Sequence, residues 1–482
     1  MNSPIANAPS FLRLNARYFS GLALIAGLAY VSLLIALVFL GKFVHAGFLA
    51  GAPILFLAIT MPRLAVAQFA ALLTIDISII PSIPITLIDC SAAIVILAAL
   101  LDIFGGASLP RRIPPLVGSF LLLTSVVAVS AVFGYSAVNG VTPVLRQLML
   151  IVALCSLFRL AERVGVRFLL NVFLAFVALH AIIVVGPYIS SGGRIRSFGF
   201  SQSSFDDISM FALPISLGSF LWSTTPQRWL YLFGGLLSSF GLLATQSRAP
   251  IVFCALGVII VVLASRWSAR RMTNASGEQE YYYVRRRIAR GVALILLAVL
   301  LLTIINPSIL TTAFSRFGNL IDGRLGETIY LRATLWKAAL TAFVDHPILG
   351  IGAGSFRSVK EMYPGLTLDP VYFWVRGFSA HNLFLHYLAE TGIIGATILV
   401  MLFWRTFSLA RTALRRVVYD RSTGEGQLAT SLALYVAGGM LLISTFVDAG
   451  WMWGQTSYVF VFFAALIARH FVDATDPKSS TE

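Results

Sequence analysis

The chain has 482 residues, of which 58% are hydrophobic and only 11% are charged. Soluble domains carry roughly 25% charged residues, so this composition excludes an ordinary soluble protein and is typical of a membrane protein with many spans. The formal net charge of +15 does not indicate nucleic-acid binding, because the arginines cluster in short segments between apolar runs, as in inner-membrane proteins.

Apolar runs of about 17–24 residues predict an all-α bundle of about 12–14 transmembrane helices. The predicted spans are 20–40, 44–60, 64–80, 85–104, 115–134, 142–159, 168–189, 206–223, 229–245, 249–265, 290–305, 381–404, 429–446 and 453–470. The first run is longer than the core of a signal peptide, which favours a retained helix. The third and fourth runs are interrupted by Asp76, Pro81, Pro84 and Asp89, so they could instead be re-entrant.

Basic residues predict the orientation of these spans. They concentrate at 111–112, 159–167, 266–290 and 405–428, which should therefore face the cytoplasm together with both termini. The predicted regions are N-terminal transmembrane helices over 1–305 with an external loop at 186–207, a long periplasmic loop over 306–380, C-terminal transmembrane helices over 381–470, and a disordered cytoplasmic tail over 471–482.

The loop at 306–380 is too long to be a simple connection and is expected to carry a folded element. Residues 327–344 predict an amphipathic helix. Its expected apolar face consists of Tyr330, Leu331, Leu335, Leu340 and Phe343. Pro347 should end this helix, and the glycines at 350, 352 and 354 predict a turn-rich segment after it.

Arg194, Arg196 and Arg248 lie on the predicted external side, against the orientation bias. An arginine keeps its proton and offers a fork of donors matched to phosphate oxygens. Several arginines where the membrane meets the periplasm would therefore suit a lipid-linked diphosphate. They could instead snorkel to lipid headgroups or pair with Asp206, Asp207 or Asp448.

His381 stands between a polar loop and a run of about 20 apolar residues, so its imidazole is expected at a membrane surface. The ordinary pKa of a histidine, about 6.5, suits removal of a proton from a hydroxyl at neutral pH. The alternative is a histidine that hydrogen-bonds backbone at the start of a helix. His386 and Glu390 follow in the same run, but their spacing from His381 predicts that neither shares its helical face.

Several familiar catalytic motifs are missing from the sequence. It has no P-loop, no C-x-x-C, no H-E-x-x-H, no D-x-D pair and no G-x-S-x-G element. The cysteines at 90, 155 and 254 lie in apolar runs without paired spacing. Phosphate handling is therefore expected to depend on arginine, with no metal and no cofactor.

Four motifs together resemble the O-antigen ligase and polymerase family of bacterial membrane proteins. They are HN at 381–382 with GIIG at 392–395, RATLW at 332–336 with HPILGIGAGSF at 346–356, SRA at 247–249, and RSFG at 196–199. The resemblance implies a metal-independent, inverting glycosyltransferase that works on the periplasmic side of the inner membrane. It also implies an undecaprenyl-diphosphate-linked glycan as donor and a sugar hydroxyl as acceptor.

The resemblance leaves the reaction product open. The enzyme either polymerises O-antigen or exopolysaccharide repeat units or ligates O-antigen to lipid A–core. His381 would be the base or an anchor for the hydroxyl. The resemblance further assigns diphosphate binding to Arg194, Arg196, Arg248 and Arg332, and supporting roles to Asn382, Gly392 and Gly395. Expected partners are the donor, the acceptor, the lipid bilayer and other polysaccharide assembly proteins, without nucleic acid.

Two other functional classes compete with this interpretation. A transporter or lipid flippase should show inverted repeats and paired ionisable residues within spans. Asp76, Asp89 and His180 are candidates for such residues, but no repeat is visible in the sequence. A scaffold in an export complex would be compatible with the long loop, but it would not need external arginines at three span ends.

Overall fold

A computed structural model describes residues 59–73, 86–105, 112–191, 202–223, 225–245, 247–276, 279–305, 327–363, 379–420, 425–446 and 455–475. Every regular element within these ranges is a helix, which confirms the predicted all-α class. The predicted spans 20–40 and 44–60 lie outside the described residues, apart from the last two positions of the second. Arg194 and Arg196 also lie outside them.

The helices are α1 (Pro62–Leu72), α2 (Leu87–Phe104), α3 (Val117–Phe133), α4 (Ala137–Val164), α5 (Val166–Ser191), α6 (Gln202–Trp222), α7 (Arg228–Thr245), α8 (Arg248–Ser276), α9 (Gln279–Ile305), α10 (Glu327–Asp345), α11 (Val359–Met362), α12 (Leu383–Tyr419), α13 (Glu425–Ser444) and α14 (Gln455–Thr475). A 3-10 turn, Phe356–Ser358, precedes α11.

Seven of the described helices are long and apolar enough to cross a membrane: α2, α4, α5, α8, α12, α13 and α14. This finding confirms a polytopic helical membrane bundle. Helix α14 lies at its centre, since its side chains from Tyr458 to Ala468 are all buried and it packs against α4, α12 and α13. An apolar sequence on all faces of a helix is what such a central position requires.

Several helices extend beyond the predicted spans. The arginine-rich segments at 266–290 and 405–428 were predicted as loops, but most of their residues continue α8, α9 and α12 as helix. Arginine is a good helix former, so a basic segment can leave the apolar layer without ending the helix. Helix α5 similarly reaches Ser191, and α14 reaches Thr475, five residues into the predicted tail 471–482.

Helix α10 confirms the helix predicted for 327–344, but its predicted apolar face is partly wrong. Leu335 is buried together with three alanines at 338, 339 and 342, whereas Tyr330 and Leu340 are exposed. The small alanines allow α10 to pack closely on α12. The size and hydrophobicity of the side chains do not predict that the alanine-rich face of α10 is the buried one. The helix ends at Asp345, before Pro347, as predicted.

Candidate active site

His381 lies directly before Asn382, the cap residue of α12, and has an unusual backbone conformation. Its φ of 46° makes it the only non-glycine residue with positive φ in the described part of the chain. The left-handed region costs such a residue about 1–2 kcal/mol. Neighbouring contacts must therefore hold the peptide at this position.

Asn382 holds the chain on the C-terminal side of His381. Its side-chain oxygen accepts a hydrogen bond from the Leu385 N–H at 2.9 Å, and its Nδ2 donates to the Phe446 carbonyl at 2.7 Å. Asparagine is among the preferred residues for capping a helix N-terminus. Asn382 therefore caps α12 and also ties its first turn to the segment that follows α13.

His386 holds the chain on the N-terminal side of His381. The Ala380 N–H donates to His386 Nδ1 at 3.3 Å, and His386 Nε2 lies 3.3 Å from Glu390 Oε1. Because Nδ1 accepts a hydrogen bond, the ring nitrogen that can donate is Nε2, which lies next to the carboxylate. Both side chains are buried, so this pair links the interior of α12 to the peptide before His381.

Glu390 also binds the glycine-rich segment 350–356. Its Oε2 accepts the Gly354 N–H at 2.9 Å, and its Oε1 accepts the Phe356 N–H at 3.0 Å. The backbone carbonyl of Glu390 accepts the Gly352 N–H at 3.0 Å and the Ser130 hydroxyl at 2.6 Å. One buried residue therefore connects α3, α12 and the segment after α10.

Gly392 provides the break in α12 that makes this docking possible. Its φ of 62° and ψ of −165° interrupt the helix. The carbonyls of Ala389 and Glu390 accept hydrogen bonds from the glycine-rich segment, and Ile393 N–H donates to the Pro347 carbonyl at 2.9 Å. A Cβ at Gly392 would lie 2.2 Å from the Ile348 oxygen, so no other residue type fits without displacement.

Gly350 makes the complementary close approach from the other side. A Cβ there would lie 2.3 Å from the Glu390 carbonyl carbon, and its φ is 72°. Gly395 is also tightly enclosed, since a Cβ would lie 2.0 Å from Thr391 Oγ1. The two motifs at 346–356 and 381–395, which are separated in the sequence, therefore form one packed unit.

A cavity of about 940 Å³ lies beside this unit, between α2, α4 and α12. Its lining includes Asp89, Asn139, Thr142, Arg146, Arg357, Ser379, His386 and Glu390. Asp89 Oδ2 accepts hydrogen bonds from the Thr86 N–H at 2.8 Å and the Thr86 hydroxyl at 2.7 Å. Its Oδ1 accepts the Tyr458 hydroxyl at 2.8 Å and lies 3.5 Å from Arg146 Nη2.

The predicted arginines occupy other positions. Arg248 is the first residue of α8 and is half-buried, and Arg332 is half-buried on α10. The neighbouring Ser247 hydroxyl donates to the Asp206 carboxylate. Three of the predicted site residues that the structure describes do not line the 940 Å³ cavity: Arg248, Arg332 and His381. Ser379, two residues before His381, does line it.

Sequence reasoning missed the role of His386 and Glu390. The available signal was their four-residue spacing within an apolar run, which places two ionisable side chains on one helix face. In the segment after α10, burial and the nearby Asp345 carboxylate together raise the pKa of Tyr363 to about 12. Tyr363 is therefore neutral at physiological pH and does not supply a base there.

The region that contains this packed unit matches a known protein family. Residues 233–400 match the family model described as O-antigen ligase. The matched stretch includes Arg248, Arg332, His381 and Glu390. None of the curated proteins matches the chain. The family match confirms the resemblance seen in the motifs and supports glycan ligation or polymerisation in general.

Proposed function

We propose that this chain is a metal-independent, inverting glycosyltransferase of the bacterial inner membrane, and the match of residues 233–400 to the O-antigen ligase model supports this proposal. On the periplasmic side, an acceptor sugar oxygen forms a bond to the anomeric carbon of a glycan carried by undecaprenyl diphosphate. The bond from that carbon to the diphosphate oxygen breaks, and the hydroxyl proton leaves the acceptor. The products are an elongated glycan and undecaprenyl diphosphate.

The observation that carries this proposal is the strained and doubly anchored His381. Its φ is 46°, while Ala380 before it is bound by His386 and Asn382 after it is bound to Phe446. Strain maintained by surrounding contacts is concentrated at functional sites. In the proposal, His381 removes or orients the acceptor proton, which requires an imidazole at a fixed position.

Arginines supply the other half of the proposed chemistry. A departing diphosphate needs stabilisation of its negative charge, and arginine provides this through charge-assisted hydrogen bonds. We assign this role to Arg248 and Arg332, together with Arg194 and Arg196 from the region outside the described residues. Arg248 is well suited because it opens α8, where the exposed N–H groups of the helix also attract anions.

The competing transporter function is less well supported. It would use ionisable residues within spans, and the predicted candidates were Asp76, Asp89 and His180. Asp76 lies outside the described residues, while Asp89 is bound by Thr86 and Tyr458. The His180 ring packs against Phe205 with centroids 4.7 Å apart. These contacts account for Asp89 and His180 as structural residues.

The test is a comparison of His381→Asn and His381→Ala in purified protein supplied with lipid-linked donor and acceptor. Asparagine tolerates the left-handed conformation, so His381→Asn should fold normally while lacking a titratable imidazole. We expect both variants to lose about 10²–10⁴-fold in transfer rate. His346→Asn is the matched control, because this histidine is exposed and its ring packs against Tyr135. Wild-type transfer by His381→Asn would refute the assigned role of His381.

A second measurement separates the two possible products. The lipid-linked glycans that accumulate in a deletion strain identify the missing step. Accumulation of long lipid-linked polymer would indicate a ligase, whereas retention of single repeat units on lipid A–core would indicate a polymerase. The proposed function is compatible with either result. A deletion strain with normal surface glycan would contradict it.

A further inference from the structure

We propose that the 940 Å³ cavity between α2, α4 and α12 is a second substrate subsite, in which Arg146 binds an anionic oxygen group of the glycan substrate. This group is either a phosphate of the lipid-linked donor or a carboxylate of an acidic sugar. The identity of the ligand rests on the proposed transferase function. The existence of the subsite rests on the cavity and on the side chains around it.

The two carboxylates in the cavity wall are already engaged by the protein. Asp89 accepts three hydrogen bonds from Thr86 and Tyr458. Glu390 accepts two backbone N–H groups and lies next to His386 Nε2. Because these internal donors already occupy lone pairs of both carboxylates, the cavity is richer in available donors than in available acceptors.

Two arginines line this space, Arg146 and Arg357, and Arg146 is the more buried of the two. Its side chain is only 15% exposed, and its Nη2 lies 3.5 Å from Asp89 Oδ1. A full charge-assisted hydrogen bond is about 2.7–2.9 Å long, and a guanidinium has five N–H donors. The ion pair with Asp89 therefore positions Arg146 without using its full capacity. An anionic oxygen in the cavity would compensate for the burial of this charge.

The remaining walls suit a ligand with both polar and apolar parts. Asn139, Thr142 and Ser358 offer hydrogen-bonding groups, whereas Val138 and Leu145 are apolar. These two apolar side chains are exposed on α4, which is long and apolar enough to span the membrane. The cavity is therefore open to a ligand that is partly embedded in lipid. Its volume of about 940 Å³ is near the upper end for small-molecule sites.

The position of the cavity also connects it with the proposed reaction centre. His386 and Ser379 line the cavity, and His386 accepts the N–H of Ala380, the residue before His381. A ligand in the cavity would consequently lie along the backbone segment that carries the proposed base. This arrangement favours a substrate group close to the reacting sugar.

Binding of two probes to the purified full-length protein tests the subsite. Farnesyl diphosphate presents a lipid diphosphate without sugar, and digalacturonic acid presents sugar carboxylates without lipid. We expect the wild-type protein to bind at least one probe in calorimetry, and the probe whose binding depends on Arg146 identifies the anionic group. Arg146→Gln should weaken that binding about 10-fold or more, as expected for loss of hydrogen bonds from a charged donor.

Arg163→Gln is the matched control, because Arg163 lies on the same helix and also pairs with an aspartate, Asp102, but does not line the cavity. Thr142→Trp is a second test, since Thr142 is an exposed residue of the lining and its replacement should fill the space without disturbing the core. This variant should also weaken binding about 10-fold or more.

The subsite is refuted if the wild-type protein binds neither probe, or if Arg146→Gln and Thr142→Trp both bind as the wild type does. Its failure can be distinguished from failure of the proposed function. His381→Asn, which tests the transfer reaction, should bind the probe normally. Loss of transfer in that variant with unchanged probe binding would support both proposals separately.

Discussion

Replacement of Glu390 by glutamine should loosen the glycine-rich segment at 350–356. The Glu390 carboxylate accepts the N–H groups of Gly354 and Phe356 at 2.9 and 3.0 Å, and the His386 Nε2 group lies 3.3 Å away. A glutamine has one carbonyl oxygen, while its amide nitrogen can only donate. At least one of the two backbone donors would therefore lose its acceptor.

The expected magnitude follows from this count. One buried N–H without a partner costs about 1–3 kcal/mol. If the segment opens locally, this cost corresponds to roughly 5- to 160-fold faster amide exchange at Gly354 or Phe356. Hydrogen–deuterium exchange of the peptide containing residues 350–356 measures the effect directly in detergent-solubilised protein.

Glu162→Gln provides the control for Glu390→Gln. Glu162 is half-exposed and pairs with Arg469, which also contacts Asp473. Replacement of Glu162 leaves Arg469 paired with Asp473, so exchange at 350–356 should not change. If Glu390→Gln left exchange of that peptide at the wild-type rate, the carboxylate would not be what holds the segment on α12, and this reasoning would be wrong.

Three further predictions concern other residues. Gly392→Ala should destabilise the protein by at least about 2 kcal/mol in thermal unfolding, because its φ is 62° and a Cβ would meet the Ile348 oxygen. The control is Gly118→Ala, where a Cβ would have nothing within 4 Å. This control should change stability by less than about 1 kcal/mol. Asp102→Asn should cost about 3–5 kcal/mol, because it removes the carboxylate charge that pairs with the buried Arg159, whose side chain is 7% exposed. Arg163→Gln, at 48% exposure, should cost about 0–1 kcal/mol. Arg248→Lys should reduce transfer at unchanged protein levels, because lysine lacks the planar fork of donors; normal turnover would contradict diphosphate binding by Arg248.

Local sequence signals predicted much of the fold. Long apolar runs predicted the helical class, and the helix at 327–344 was recognised from its periodicity and from Pro347. The glycines at 350, 352 and 354 were correctly expected in turns. Their close approach to the kink at Gly392 was not predicted, because such contact depends on which distant backbone lies opposite, and a single sequence does not contain that information.

The same limit applies to His386 and Glu390. The spacing rule that separates them from His381 holds only where all three residues belong to one continuous helix. His381 instead lies before α12 with a φ of 46°, so the helical spacing rule does not apply to it. The connection runs through the backbone, from the Ala380 N–H to His386 and then to Glu390.

This connection gives the Glu390→Gln experiment a second reading, because Glu390 faces two segments. On one side it binds the N–H groups of Gly354 and Phe356, and on the other it adjoins His386, which accepts the Ala380 N–H. If both contacts matter, exchange should accelerate at 350–356 and also at Ala380, and transfer should fall. Faster exchange at 350–356 alone, with normal transfer, would show that the carboxylate secures the glycine-rich segment but does not position His381. His386 and Asn382 would then hold the strained residue without a contribution from the Glu390 carboxylate.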